Sequence, residues 1–255
     1  MGKIVAIGDG EIGRPKEGGG FYPIETTAID KEIIRLSGKR KPRLLFIPTA
    51  SKDSEGYYNV IVKHFGKHLG CKCDVLYLLR NKPAKSAIRS KILNADIIYV
   101  GGGNTLNMLN TWKRFGIDKL LHTAYKKDIV LSGVSAGAIC WFRYATSDSR
   151  PKLAKKNYGL NKISCLDFID LTVSPHHVRE PNRRPALINI MKKTYGAAVA
   201  LDDCSALEII DDKYRIVTSN GTANAYKVYF KKGKLNYIKL SKNGEMRPIS
   251  ELQKR

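Results

Sequence analysis

Residues 129–138 read Ile-Val-Leu-Ser-Gly-Val-Ser-Ala-Gly-Ala and predict the centre of the fold. The run 129–133 is short, apolar and closed by glycine, which is typical of a buried strand in a parallel sheet. Residues 133–137 then match G-x-S-x-G, a sharp strand-to-helix turn that lifts a serine hydroxyl above the carboxyl edge of a sheet. The motif also arises by chance, and a serine here often only caps a helix. Ser135 is therefore a candidate nucleophile that needs partners from neighbouring strands.

The first 145 residues repeat this alternation of strand and helix. Short β-rich runs lie at residues 3–7, 43–47, 72–78, 97–100 and 129–133, and helical patterns lie at 27–37, 55–69, 86–94 and 105–125. This order indicates βαβ units and a parallel sheet. Beyond about residue 205 the pattern becomes antiparallel, with runs at 206–210 and 214–218 and a basic hairpin near 226–240. We predict one domain, residues 1–255, in which these strands extend or flank the parallel sheet.

Composition excludes several classes of protein. With 255 residues, 43% hydrophobic and 27% charged, the chain is neither disordered nor collagen-like. No apolar run approaches the roughly 18–20 residues that span a bilayer, and the N-terminus lacks a signal-peptide pattern. Five cysteines without a C-x-x-C pair indicate neither a disulfide framework nor a zinc ribbon. We expect a cytoplasmic protein with no membrane partner.

The net charge raises the question of a polyanionic partner. Lys and Arg number 45 against 23 Asp and Glu, which gives +22. Such an excess favours nucleic acid or another polyanion when it is gathered on one face. Here the basic residues are spread through the chain, and those of the C-terminal hairpin fit the solvated face of a β-ribbon. We therefore do not expect nucleic acid as a functional partner.

Gly8-Asp9-Gly10-Glu11-Ile12-Gly13 matches G-x-G-x-x-G after a predicted strand. A dinucleotide site requires a helix to begin there, to place its N-terminus on the pyrophosphate. Residues 14–20 instead contain a proline and three glycines, which continue a loop. We expect a loop that crosses the edge of an active site.

Other segments offer partners for Ser135. Residues 101–105, Gly-Gly-Gly-Asn-Thr, follow a predicted strand, so backbone N–H groups of this loop and a helix N-terminus can face an anion. Of the five histidines, His64 and His68 lie four apart on a helix and are expected to face solvent. His176 and His177 follow the apolar run 171–173 and are candidate bases, and Asp202 and Asp203 are candidate third members. The chain order is then Ser, His, Asp.

Taken together, these segments resemble the peptidase E family, which includes cyanophycinase, and in particular its aspartyl dipeptidase-like branch. The resemblance rests on residues 4–12, 44–51, 100–105, 133–142, 147–149, 175–176 and 201–206 in this order. It implies a serine peptidase with the fold of class I glutamine amidotransferases. That fold is a flavodoxin-like three-layer α/β/α sandwich with a mostly parallel sheet.

The resemblance also implies roles for individual residues. Ser135 matches the nucleophile and His176 the base, with His177 as the alternative. Asp203 matches the third member, where the family has a glutamate, and Asp202 is the alternative. The resemblance assigns the oxyanion and substrate-binding loop to the backbones of Gly102, Gly103 and Ala136, together with Asn104. Asp148 would contact the substrate amino group. A cation that binds an acidic substrate side chain is expected among Arg179, Arg183 and Arg184, and Arg183 is the candidate. No metal or cofactor is implied.

These observations lead to a hypothesis and two alternatives. The hypothesis is a serine peptidase of small peptides, including dipeptides with N-terminal aspartate. One alternative is a catalytically silent amidotransferase-like module that binds a ligand or polyanion. The other is hydrolysis of a non-peptide amide or ester at the same serine. The sequence leaves a homodimer open.

Overall fold

The structure is a computed structural model that describes residues 2–149 and 159–254. Its strands are β1 (Lys3–Ile7), β2 (Arg43–Ile47), β3 (Lys72–Val75), β4 (Ile97–Val100), β5 (Val130–Val134), β6 (Phe142–Ser147), β7 (Asn161–Ser164), β8 (Ile169–Ser174), β9 (Ala197–Leu201), β10 (Ser205–Ile210), β11 (Lys213–Thr218), β12 (Ala225–Lys231), β13 (Lys234–Lys239) and β14 (Arg247–Pro248). Its helices are α1 (Thr27–Leu36), α2 (Glu55–Ile61), α3 (Lys85–Leu93), α4 (Thr105–Phe115), α5 (Ile117–Lys126), α6 (Ala136–Ile139), α7 (Arg183–Lys192) and α8 (Ser250–Gln253). Within the described ranges, every helix is too short or too polar to cross a membrane.

An eight-stranded sheet in the order β14-β11-β10-β1-β5-β4-β2-β3 forms the centre of the molecule. Strands β1, β5, β4, β2 and β3 run parallel, whereas β10 pairs antiparallel with β1, β11 with β10 and β14 with β11. Side chains of β1 alternate between faces, so that Ile4 and Ala6 join the cluster beneath α3, α4 and α5, while Val5 and Ile7 pack under α1 and α2. The predicted α/β/α sandwich with antiparallel C-terminal strands is confirmed.

A second sheet, in the order β13-β12-β9-β8-β6-β7, shares the larger hydrophobic cluster with the main sheet. Its other face is covered by α7, whose Leu187 and Met191 pack on Ala198 and Ala200. The sequence patterns do not predict that these strands form a second sheet. Of the C-terminal strands that we predict to extend or flank the parallel sheet, β10 and β11 extend it, whereas the basic hairpin β12–β13 joins the second sheet through β9.

Two helical predictions differ from the structure. The pattern at residues 105–125 is interrupted at Gly116, whose φ of 69° ends α4 in a left-handed cap before α5 begins. The pattern at 55–69 begins as α2 and continues as a π-helical segment, Val62–His68. The expectation that His64 faces solvent is wrong, since it is 1% exposed and its Nε2 lies 2.7 Å from the buried Asp30 carboxylate on α1.

Candidate active site

Ser135 stands on a strained turn at the carboxyl end of β5. Its φ of 56° and ψ of −111° are rare for a residue with a side chain and persist only where the surroundings impose them. Here they do, because a Cβ on Gly133 or Gly137 would lie 2.5 or 2.0 Å from the Val100 carbonyl oxygen. The Ser135 N–H also donates to the Ile7 carbonyl of β1 at 3.1 Å. The glycines of the motif thus let the turn press against β4 and leave the serine half-buried.

His176 reaches this serine from the second sheet. It lies just beyond β8, and its Nε2 is 2.8 Å from the Ser135 Oγ, within hydrogen-bond distance. His177 points elsewhere, with its Nε2 hydrogen-bonded to the Tyr237 hydroxyl. Burial and the nearby Arg184 lower the pKa of His177 to about 4, which keeps it neutral. Of the two candidate bases, the structure brings only His176 to the serine.

Two carboxylates face the other nitrogen of the His176 ring. Nδ1 lies 3.1 Å from Asp9 Oδ2 and 3.5 Å from Asp203 Oδ1. Asp202 is not part of this contact, since its Oδ2 accepts from the Asn224 N–H at 3.0 Å. Asp9 was missed as a site residue in the sequence, where it was read only as part of the glycine-rich loop. Its position two residues after the predicted strand 3–7, where the carboxyl end of a parallel strand is expected, is the signal that could have marked it as a candidate.

These carboxylates favour the charged imidazole. Burial alone lowers the pKa of His176, but the interactions with Asp203 and Asp9 outweigh it and raise the pKa to about 9. Burial opposes ionisation of Asp9 as well, yet its contact with His176 holds the pKa of this carboxyl below its usual value. At neutral pH the ring is therefore protonated and paired, and it becomes able to accept a proton from Ser135 in alkaline solution.

The glycine loop before α4 lies against the serine. A Cβ on Gly102 would be 3.4 Å from the Ser135 Cβ and 3.8 Å from its Oγ. Among the described residues, no carbonyl oxygen accepts from the Gly102 or Gly103 N–H, although the Tyr57 hydroxyl lies next to the former. Ala136 is the first residue of α6, so its N–H has no partner within the helix. The glycine loop and the start of α6 thus both lie next to the serine, and the Gly102 backbone also contacts the Tyr57 hydroxyl.

Asn104 and Asp148 frame the same loop. Asn104 Oδ1 caps α4 by accepting from the Asn107 N–H at 2.9 Å. The exposed Asp148 follows β6, and its neighbour Ser149 accepts a hydrogen bond from the Thr105 N–H at 2.9 Å. This bond places the Asp148 segment beside the start of α4. Asp148 therefore lies near the N-terminus of α4 and is open to solvent.

The three predicted arginines have different surroundings. The Arg183 side chain is 5% exposed and donates to Glu180 at 2.6 Å and to a buried carbonyl oxygen. Arg184 lies over the Tyr237 ring. Arg179 is 56% exposed, and its Nη1 lies 3.1 Å from Asp9 and 3.3 Å from Asp203. Of the three, Arg179 is the one at the surface of the site.

Two open cavities flank the carboxylates. One of about 440 Å³ is lined by residues that include Asp9, Tyr57, Val134 and Arg179. The other, of about 590 Å³, includes Arg179 and Asp203 in its wall. Both fall in the size range of small-molecule sites.

The glycine-rich loop, residues 8–20, does not start a helix, since α1 begins only at Thr27. The predicted loop across the edge of the site is therefore observed, and a dinucleotide-binding turn is not.

Asp9, His176 and Asp203 also offer three possible metal ligands within 4.8 Å of one another. The Arg179 guanidinium, however, lies against both carboxylates and already supplies a positive charge there. The arrangement is that of a hydroxyl, an imidazole and carboxylates in line. Such an arrangement can transfer a proton from a serine as it attacks a carbonyl carbon.

The chain is similar in sequence to known peptidases. The sequence model of Peptidase family S51 matches residues 18–217. The chain is 35% identical to the uncharacterized peptidase YgaJ of Bacillus subtilis over 231 residues, covering 89% of this chain and 92% of that protein. It is 30% identical to the uncharacterized peptidase PM1590 of Pasteurella multocida, over 70% of this chain and 82% of the relative.

Solved structures show the same fold. A peptidase from an acI-B1 Actinobacterium superposes with a TM-score of 0.71 at 19% identity and covers 97% of both chains. A putative peptidase E protein from Listeria monocytogenes gives a TM-score of 0.60, also at 19% identity, over 85% of this chain and 98% of that one. Together with the family match and the relatives, this shows that the chain belongs to peptidase family S51, the peptidase E family of serine-type peptidases.

Proposed function

We propose that this protein hydrolyses small peptides by a Ser135 nucleophile, a His176 base and an acidic partner, Asp203. The observation that carries the proposal is the 2.8 Å contact between Ser135 Oγ and His176 Nε2 on a turn strained to expose that oxygen. Neutral His176 takes the hydroxyl proton as the oxygen attacks the peptide carbonyl. The ring then returns the proton to the leaving amine, and water releases the acyl group.

Backbone N–H groups of Gly102, Gly103 and Ala136 would hold the oxyanion of the tetrahedral intermediate. Gly102 is supported by its closeness to the serine side chain, and Ala136 by its place at the first helical position. Each such donor typically stabilises the transition state by about 3–4 kcal/mol. This electrostatic term does not depend on the peptide's side chains.

The cavities of about 440 and 590 Å³ beside the site support the proposal that the substrate is a small peptide. Asp148 is proposed to meet the substrate's free amino group at the edge of the site. A preference for aspartate rests on the resemblance to aspartyl dipeptidases and requires a cation. The resemblance assigns this position to Arg183, but the exposure of Arg179 makes it the better placed of the two to contact a ligand.

A panel of dipeptides and short peptides, assayed with wild type and Ser135→Ala, tests the proposal. Wild type should cleave peptides, Asp-X above Ala-X and Asn-X, and the variant should lose activity by several orders of magnitude while its thermal unfolding stays unchanged. Labelling of Ser135 by a phosphonate without peptide cleavage would favour a non-peptide amide or ester. Equal activity in Ser135→Ala, or neither labelling nor cleavage, would reject the hydrolase.

A further inference from the structure

Two carboxylates lie near Nδ1 of the candidate base His176, although a Ser-His-Asp triad requires only one. Asp203 is the partner that the sequence predicts, yet its Oδ1 is 3.5 Å from Nδ1, longer than a good hydrogen bond. That oxygen is buried and has no hydrogen-bond partner among the described residues. Asp9 Oδ2 approaches Nδ1 more closely, at 3.1 Å. Asp203 alone therefore contacts the His176 ring only weakly, and Asp9 provides the closer contact.

The backbone fixes Asp9 in this place. The Asp9 carbonyl accepts from the Cys204 N–H at 2.7 Å, and the Gly8 N–H donates to the Ser205 carbonyl at 2.8 Å. The loop after β1 and the turn before β10 are therefore bonded to each other on both sides of Asp9. A Cβ on Gly8 would lie 2.2 Å from the Asp202 carbonyl oxygen, so glycine is needed for this approach.

Two carboxylates so close together repel each other unless a cation lies between them. Arg179 provides it, with one nitrogen, Nη1, at 3.1 Å from Asp9 Oδ2 and 3.3 Å from Asp203 Oδ2. We propose that Asp9 is a positioning residue, which orients the His176 ring together with Asp203. Arg179 holds the two carboxylates in place. The inference rests on the proposed function of His176 as the base.

The charged side chains around the His176 ring determine the pH at which the ring loses its proton. Three charged side chains act on it directly, namely Asp9 from the loop after β1, Asp203 from the turn before β10 and Arg183 from α7. Arg179, from the segment after β8, contacts the two carboxylates. Arg183 opposes protonation, but Glu180 partly neutralises it at 2.6 Å. Removing Asp9 should therefore lower the pH at which His176 titrates, and removing Arg179 should raise it.

The test is an NMR titration of His176, assigned through the signal missing in His176→Gln, alongside kcat/KM as a function of pH. We expect Asp9→Asn to lower the midpoint by about one unit or more, with kcat reduced more than KM is changed. Asp9→Glu should restore part of the shift. Arg179→Ala should raise the midpoint, and Arg179→Lys should leave it near the wild-type value.

Glu11→Gln is the matched control, since it removes a carboxylate from the same loop that pairs with Arg14 and not with His176. A midpoint in Asp9→Asn equal to that of Glu11→Gln would overturn the proposal. If Asp9→Asn does not fold, an unmoved midpoint in Arg179→Ala would overturn it equally. Shifts without any peptide turnover would preserve this inference and reject the peptidase function instead, because the titration needs no substrate.

Discussion

Replacing Gly102 by alanine separates catalysis from folding. In the structure the added methyl would lie 3.4 Å from the Ser135 Cβ and 3.8 Å from its Oγ. These are tight to ordinary contacts, and Gly102 does not have a positive φ, so the fold can accept the side chain. The methyl, however, occupies space between the loop and the hydroxyl, where the substrate carbonyl has to approach.

The size of the effect follows from what the methyl displaces. A substrate misplaced by about 1 Å loses roughly 10²-fold in rate, and the loss of one oxyanion donor costs about 10²–10³-fold. We therefore expect kcat/KM to fall about 10²–10³-fold, equivalent to about 3–4 kcal/mol of transition-state stabilisation. Stability should stay the same or rise by up to about 1 kcal/mol, because alanine reduces the freedom of the unfolded chain.

The assay measures peptide hydrolysis and thermal unfolding for three variants. Gly244→Ala is the control, since its nearest new contact is Ser241 Oγ at 3.8 Å and it lies outside the site. Gly103→Ala should instead destabilise the protein, because its Cβ would meet the Ala50 carbonyl oxygen at 2.2 Å. Full activity of Gly102→Ala would refute the position that we assign to the oxyanion.

Three other outcomes are expected. Because His176 must be neutral to accept a proton and its pKa is raised to about 9, the wild-type kcat/KM should increase with pH up to about that value; a plateau already reached at neutral pH would contradict the charge pairing. His64→Ala should lower the free energy of unfolding in urea by about 3–5 kcal/mol, since it removes the imidazole from the buried Asp30 carboxylate and leaves it only the hydrogen bond from the Thr26 hydroxyl; a smaller loss would indicate that Asp30 is neutral in the fold. Asp148→Asn should raise KM for peptides with a free amino group and not for N-acetylated ones, and an equal change in both would remove Asp148 from substrate recognition.

The parallel strands and the serine turn could be predicted because their signals are local. Five apolar runs mark the parallel strands of the main sheet, and the glycines around Ser135 are required by contacts with an adjacent strand. The second sheet could not be predicted in this way. After Ser135 the helix lasts only one turn, Ala136–Ile139, and β6 begins at Phe142, so the expected helix gives way to a strand within a few residues.

The choice between neighbouring residues also depends on tertiary contacts. His176 and His177 follow the same strand, and only the positions of Ser135 and Tyr237 show which ring faces the site. Asp9 was missed because its closeness to His176 follows from β1 lying between β10 and β5. No pattern within residues 8–13 carries that information.

The site joins the two sheets, and this determines which of its distances are fixed locally. Ser135 belongs to the main sheet and His176 to the second, so the distance between Oγ and Nε2 depends on how the sheets pack through their shared hydrophobic cluster. The carboxylates are different, because backbone hydrogen bonds tie the loop of Asp9 to the turn of Asp203. Mutations in the cluster between the sheets should therefore separate nucleophile from base while the two carboxylates stay together. Such mutations should therefore affect proton transfer from Ser135 to His176 most strongly, and the electrostatic interaction between Asp9 and Asp203 least.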